Sequence, residues 1–165
     1  MTGDLFAPDL TPLQMLRAGV FRGEYFGGDM AEYPPEWAEA ARARPWLGVR
    51  HNAFGVASGQ SRAAWAAAGW LREQDPLGWF QWYCRWWLGR RSPDDPRQIA
   101  RQRAFHRHSA QVRLHGGGDL TRRRAQRQSL LQWAYDPYPD RAEAPEDIFS
   151  IIFPIPVFSE ILRDN

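Results

Sequence analysis

Residues 75–89, Asp-Pro-Leu-Gly-Trp-Phe-Gln-Trp-Tyr-Cys-Arg-Trp-Trp-Leu-Gly, decide how this chain folds. Asp75-Pro76 has the form of a helix cap followed by a first-turn proline, and Gly89 has the form of a stop. Between them Trp79, Trp82, Tyr83, Trp86 and Trp87 cover most of a helix circumference, which leaves Gln81 and Arg85, four apart, as one polar strip. A helix apolar nearly all round belongs in the middle of a domain. Leu77 to Leu88 is therefore expected to be the central core helix. The other use of such rings, stacking on bases or caging a cation, stays open at this stage.

Caps and breakers divide the rest of the chain on either side of that segment. Thr11 and Pro12 open a short helix that Gly19 stops; Pro34-Pro35 open a second, which ends before Pro45. Ser61 caps a short Ala-rich helix, Arg62 to Ala68. Beyond the central helix, Asp94 or Asp95 caps the longest one, Arg97 to about His115, and Gly116-Gly117-Gly118 ends it. Asp119 or Thr121 caps the last, which runs to Ala134 before Pro137 and Pro139. The aromatic and glycine-rich stretch from Phe21 to Tyr33 leaves room for a short β-hairpin. The expected architecture is mainly α: one compact multi-helix domain over residues 1–140, then a non-helical tail, 141–165, acidic and then apolar. Pro154 and Pro156 interrupt its apolar part, so it cannot be one helix. It is expected to dock on the domain, on a second copy or on a protein partner, because so many apolar residues rarely stay exposed as a patch. A protein-interaction module acting through this tail is the second functional reading, beside a polyanion-binding surface.

Composition limits the setting. All 21 basic residues are arginine, so every positive site is a planar, permanently charged fork. Nine tryptophans supply a large part of any core. Cys84 stands alone, which excludes an internal disulfide and a thiol metal cluster; it reads as a small buried hydrophobe, and the location as cytoplasmic. The segment Met1 to Leu10 lacks the basic and apolar regions of a signal peptide, and no stretch reaches the roughly 18 apolar residues of a membrane span. No membrane role, metal or cofactor is expected.

Net charge is +2, but its distribution is uneven. Residues 85–127 hold twelve arginines against Asp94, Asp95 and Asp119, a local charge of +9, while the remainder carries −7. Arg122, Arg123, Arg124 and Arg127 crowd the start of the last helix, where the helix dipole disfavours cations by roughly 0.3–1 kcal/mol each. A glycine turn, a helix N-terminus and several arginines together describe an anion site. With Arg90, Arg91, Arg103 and Arg107 they form the expected surface for nucleic acid or another polyanion. Self-neutralisation competes with this reading: Glu143, Glu146 and Asp147 could fold back over the block.

Enzyme signatures are weak. Nucleophile-elbow, metalloprotease-helix and dinucleotide motifs are absent. Glu24, Asp29, Glu32 and His51 make a loose carboxylate–histidine group, so a hydrolase or nuclease acting on a phosphate-containing substrate is a third reading. His108 falls on the apolar side of its helix with Ala104, Phe105 and Val112, and reads as a core histidine. His106 and His108 point about 200° apart and would not share a metal.

Two stretches carry a resemblance. Gly78 to Arg85 running on to Gly89-Arg90-Arg91, and Arg124 to Gln128 running on to Gln132-Trp133-Ala134-Tyr135-Asp136, resemble a family of small proteins of bacteria, plants, fungi and large DNA viruses. Gly23 to Tyr25 and Gly27-Gly28 look similar too. The resemblance covers roughly residues 10–136. That family has no assigned activity, so the resemblance implies one compact unit with an added tail and no site residues.

Overall fold

A computed structural model describes residues 5–42, 53–56, 60–119 and 121–141. Within them the chain forms seven α-helices: α1 Pro12–Arg17, α2 Pro35–Arg42, α3 Arg62–Ala67, α4 Trp79–Trp87, α5 Asp95–Ala104, α6 Arg107–His115 and α7 Arg124–Gln132. The molecule is mainly helical, as the pattern requires. No strand occurs among the described residues. The stretch expected to make a hairpin is instead a 3-10 turn, Val20–Gly23, followed by glycine turns in which Gly27 and Gly28 take φ +61° and +88°. The expectations about the tail beyond Arg141 lie outside the described residues.

Local chemistry accounts for the starts of two helices. Thr11 accepts the Gln14 N–H at 3.1 Å while the Gln14 side chain accepts the Thr11 N–H at 2.8 Å, a reciprocal capping box. The Ser61 hydroxyl accepts the Ala64 N–H at 3.1 Å. Asp75 does not cap α4, whose N-terminal boundary is Gly78 at φ +105°. Leu71 and the Tyr25 hydroxyl stand within 3.3 Å of where a Gly78 β-carbon would be. The torsion is what favours glycine there, and a β-carbon would in addition press these two neighbours back by a few tenths of an ångström.

α4 is the centre of the core. Trp79, Phe80, Trp82, Tyr83 and Cys84 are all buried, and burial pushes the Cys84 thiol well up. Each polar aromatic tip finds an acceptor: Trp79 Nε1–H donates to the Gln98 carbonyl (3.1 Å), Trp82 Nε1–H to Asp95 (2.8 Å) and Tyr83 O–H to the Leu10 carbonyl. Trp86 is only half-buried, beneath Phe6, and Trp87 is 45% exposed. The fully buried part of α4 therefore ends one turn before the helix does. The N-terminal segment is held from the opposite end of the chain. Asp9 and Leu10 N–H donate to the Ala134 carbonyl (2.9 and 3.1 Å), and the Asp136 N–H donates to the Asp9 carboxylate (2.9 Å).

The long helix expected over 97–115 is two helices, α5 and α6. At the break, Phe105 and His106 N–H bond three residues back, to Gln102 and Arg103. The Tyr135 hydroxyl donates toward both the Gln102 carbonyl (3.2 Å) and its side-chain oxygen (3.0 Å). Phe105 is turned to stack on Trp133, with ring centroids 4.2 Å apart. These contacts offset the α-helical bonds lost at the break, where His108 and Ser109 N–H also bond three residues back. His108 is consequently half-buried beside Phe105 and near Gln111, not in the core; Ser109 and Val112 take the inward positions.

Candidate functional site

The glycine turn between α6 and α7 is where the basic block becomes a defined geometry. Gly117 and Gly118 adopt φ +61° and +73°, a conformation that favours glycine. Asp119 does not cap α7. Its carboxylate accepts the Thr121 N–H (2.9 Å) and hydroxyl (2.7 Å), closing a local Asx turn. The chain then passes through Arg123 in the left-handed region, at φ 57° and ψ 35°, and α7 begins at Arg124.

Arg127, expected to meet an external anion, is fully buried. Its five N–H donors are engaged within the protein. Nε donates to the Arg122 carbonyl (2.9 Å). Nη1 donates to the Pro137 carbonyl and Asp140 Oδ1 (both 2.9 Å), and Nη2 to the Asp119 carbonyl (3.1 Å) and Asp140 Oδ2 (2.9 Å). Asp140 Oδ2 also accepts the Gly118 N–H at 2.8 Å. The Gly118 N–H and the Arg127 guanidinium together hold one carboxylate, the chain's own Asp140. Burial pushes the Asp140 carboxyl up, but Arg127 and the Gly118 N–H outweigh it and hold the group below the usual carboxylate range. Self-neutralisation is thus realised at this point, by a residue that the sequence reading passed over.

Arg90, half-buried, is likewise committed to an internal partner. Its fork closes on Asp75 at 2.7 and 2.6 Å, and Asp75, 1% exposed, also receives Arg85 at 2.9 Å. Arg91 is exposed, lies 4.4 Å over the Trp86 ring and donates to the Trp86 and Arg90 carbonyls. Arg103 is exposed on α5, and Arg107 is exposed at the start of α6, where it donates to the Ala104 carbonyl (2.6 Å). The eight arginines thus fall at three places: the C-terminal end of α4, the α5–α6 break and the α6–α7 turn.

At that last place Arg122, Arg123 and Arg124 are consecutive and exposed, and none makes an ion pair among the described residues. Arg122 and Arg123 line a shallow basin of about 440 Å³ with Leu114, His115 and Gly117. The carboxylates of the loose catalytic reading are not gathered in this way. Glu32 is bound to Arg85 by two 2.8 Å bonds, which hold its carboxyl below the usual range; Glu24 and Asp29 are exposed, and His51 lies outside the described residues. Among the described residues no three of His, Cys, Asp and Glu stand where they could share a metal, and no helix is long and apolar enough to cross a membrane.

Compared with models of known protein families, with curated proteins and with solved structures, the chain matches none.

Proposed function

We propose that the protein binds a polyanion, nucleic acid in the first instance, through the α6–α7 turn. Arg122, Arg123 and Arg124 form the anchor, and Arg91, Arg103 and Arg107 are further phosphate contacts. The observation that carries this reading is the run of three exposed arginines with no ion-pair partner among the described residues, two of them lining one basin. Like charges side by side at a helix start repel one another and the helix dipole, and a bound phosphate relieves both terms. Arg127 and Asp140 serve this site by rigidifying the turn, because a buried two-point ion pair fixes orientation as well as position.

Fluorescence anisotropy against single- and double-stranded DNA and RNA at low salt tests the proposal. Binding should weaken steeply with salt and depend little on sequence. Replacing Arg122, Arg123 and Arg124 by Gln should weaken all sequences alike and flatten the salt slope by roughly one unit per lost phosphate contact. Absence of binding to every one of these polymers retires the reading.

A further inference from the structure

A second site uses different residues. Tyr25, Trp65, Trp70, Trp79, Phe105 and Trp133 wall a cavity of about 250 Å³, and the guanidinium of Arg101 lies among them. Its central carbon stands 5.9 Å from the Trp70 ring and 5.5 Å from the Trp133 ring.

Arg101 is the exception to a rule this chain otherwise keeps. Arg85 and Arg90 share Asp75, Arg97 holds Asp94, Arg127 holds Asp140 and Arg141 holds Asp136. Those are the other arginines that are buried or half-buried among the described residues, and each has its carboxylate. Half-buried Arg101 has one hydrogen bond, from Nη1 to the Gln98 side chain at 3.0 Å, and no ion pair among the described residues. Asp94, about two helical turns earlier in the chain, is already held by Arg97 at 2.6 and 2.8 Å and by Gln98 at 3.0 Å. Burial pushes the Arg101 pKa down, and the neighbouring Arg97 charge adds to it. A cation withdrawn from water with most of its donors unengaged is costly unless a counter-charge arrives.

We propose that this cavity binds a planar aromatic anion of one or two rings, its ring against the indoles and its acidic oxygens on Arg101. Size and chemistry agree. An apolar protein cavity of roughly 150 Å³ accepts benzene, so about 250 Å³ accepts a larger ring system. Tryptophan faces bind flat π-systems, and the arginine fork matches carboxylate or phosphate oxygens in two-point geometry. The site does not depend on the arginines of the α6–α7 turn.

Isothermal titration of the full chain with 2-naphthoate, 2-naphthyl phosphate and the uncharged 2-naphthylmethanol tests this. At least one of the two anions should bind tenfold or more tightly than the alcohol, and which one does so distinguishes a carboxylate from a phosphate ligand. Arg101→Met should remove that advantage, whereas Arg122→Gln with Arg123→Gln should leave it intact, which separates this site from the polyanion site. Trp70 is 41% exposed, so Trp70→Ala folds independently of how Arg101→Met behaves; it should weaken the preferred anion at least threefold. Equal affinity of all three probes, an advantage that survives Arg101→Met, one that vanishes with the Arg122 and Arg123 pair, or unchanged affinity in Trp70→Ala overturns the proposal.

Discussion

Gly116 sits directly beneath Asp140: a β-carbon at position 116 would overlap Oδ2 of that carboxylate and stand 2.6 Å from the Val112 carbonyl and 2.9 Å from Arg127 Nη2. The backbone torsion at Gly116 is φ −77°, which any residue adopts, so the requirement for glycine is one of space. Gly116→Ala must displace either the carbonyl ending α6 or the ion pair itself. Overpacking of this kind costs about 1–3 kcal/mol. A urea midpoint equal to that of the parent protein would show that the turn has slack which the packing denies.

The buried pair gives the fold a defined acid sensitivity. Asp140 titrates lower in the folded protein than its ordinary 3.8, so its contribution is complete above that value and is lost as pH falls through the lower folded value. The parent protein should therefore lose stability progressively below about pH 4. Asp140→Asn, which leaves Arg127 buried without a counter-charge, should cost about 3–5 kcal/mol at neutral pH and show a shallower decline in acid. Denaturant melts at pH 7 and pH 3 measure both effects; parallel pH profiles for the two proteins would contradict the assignment.

Rings on one helix should differ in what they contribute. Trp82 is 0% exposed and donates to Asp95, so Trp82→Ala is expected to cost about 3–5 kcal/mol. Trp87, 45% exposed on the same helix, should cost no more than about 0.5 kcal/mol. Equal shifts in thermal midpoint for the two substitutions would mean that the buried surface of α4 extends to Trp87.

Arg123 carries backbone strain at an exposed position. A non-glycine residue in the left-handed region costs roughly 1–2 kcal/mol, and Asn tolerates that region better than Arg. Arg123→Asn should therefore be at least as stable as the parent while binding DNA more weakly. Stability and binding that fall together would point to a structural role for the guanidinium.

The sequence reveals those features whose causes lie close by in the chain. Thr11 with Gln14 and Ser61 with Ala64 are contacts three residues apart, so the caps could be read directly. Asp75-Pro76 has the same local form, yet its carboxylate is drawn to Arg85 and Arg90, ten and fifteen residues on, and nothing in the dipeptide distinguishes the two uses. The break between α5 and α6 has no proline or glycine to announce it; its cause is Tyr135 and Trp133, about thirty residues downstream. The glycine turn and the arginines that follow it are legible in the sequence, but the carboxylate that Arg127 and the Gly118 N–H hold is not. Asp140 lies thirteen residues beyond Arg127, past two prolines, and looked like the edge of the tail. Arg101 is one of twelve arginines in the basic block, and what makes it distinct is burial without a carboxylate partner, which no local pattern announces.

The bonds joining Asp9 and Leu10 to Ala134, and Asp136 back to Asp9, impose an order on biosynthesis. A ribosome delivers Phe6, which packs on Trp82 and Trp86, long before it delivers the backbone that ties down residues 9 and 10. Until residue 136 has emerged, the nascent polypeptide carries α4 with part of its aromatic surface uncovered, and closure over such separations is slow relative to local helix formation. A chain truncated within α7 would accordingly be a chaperone substrate, not a smaller version of the same fold.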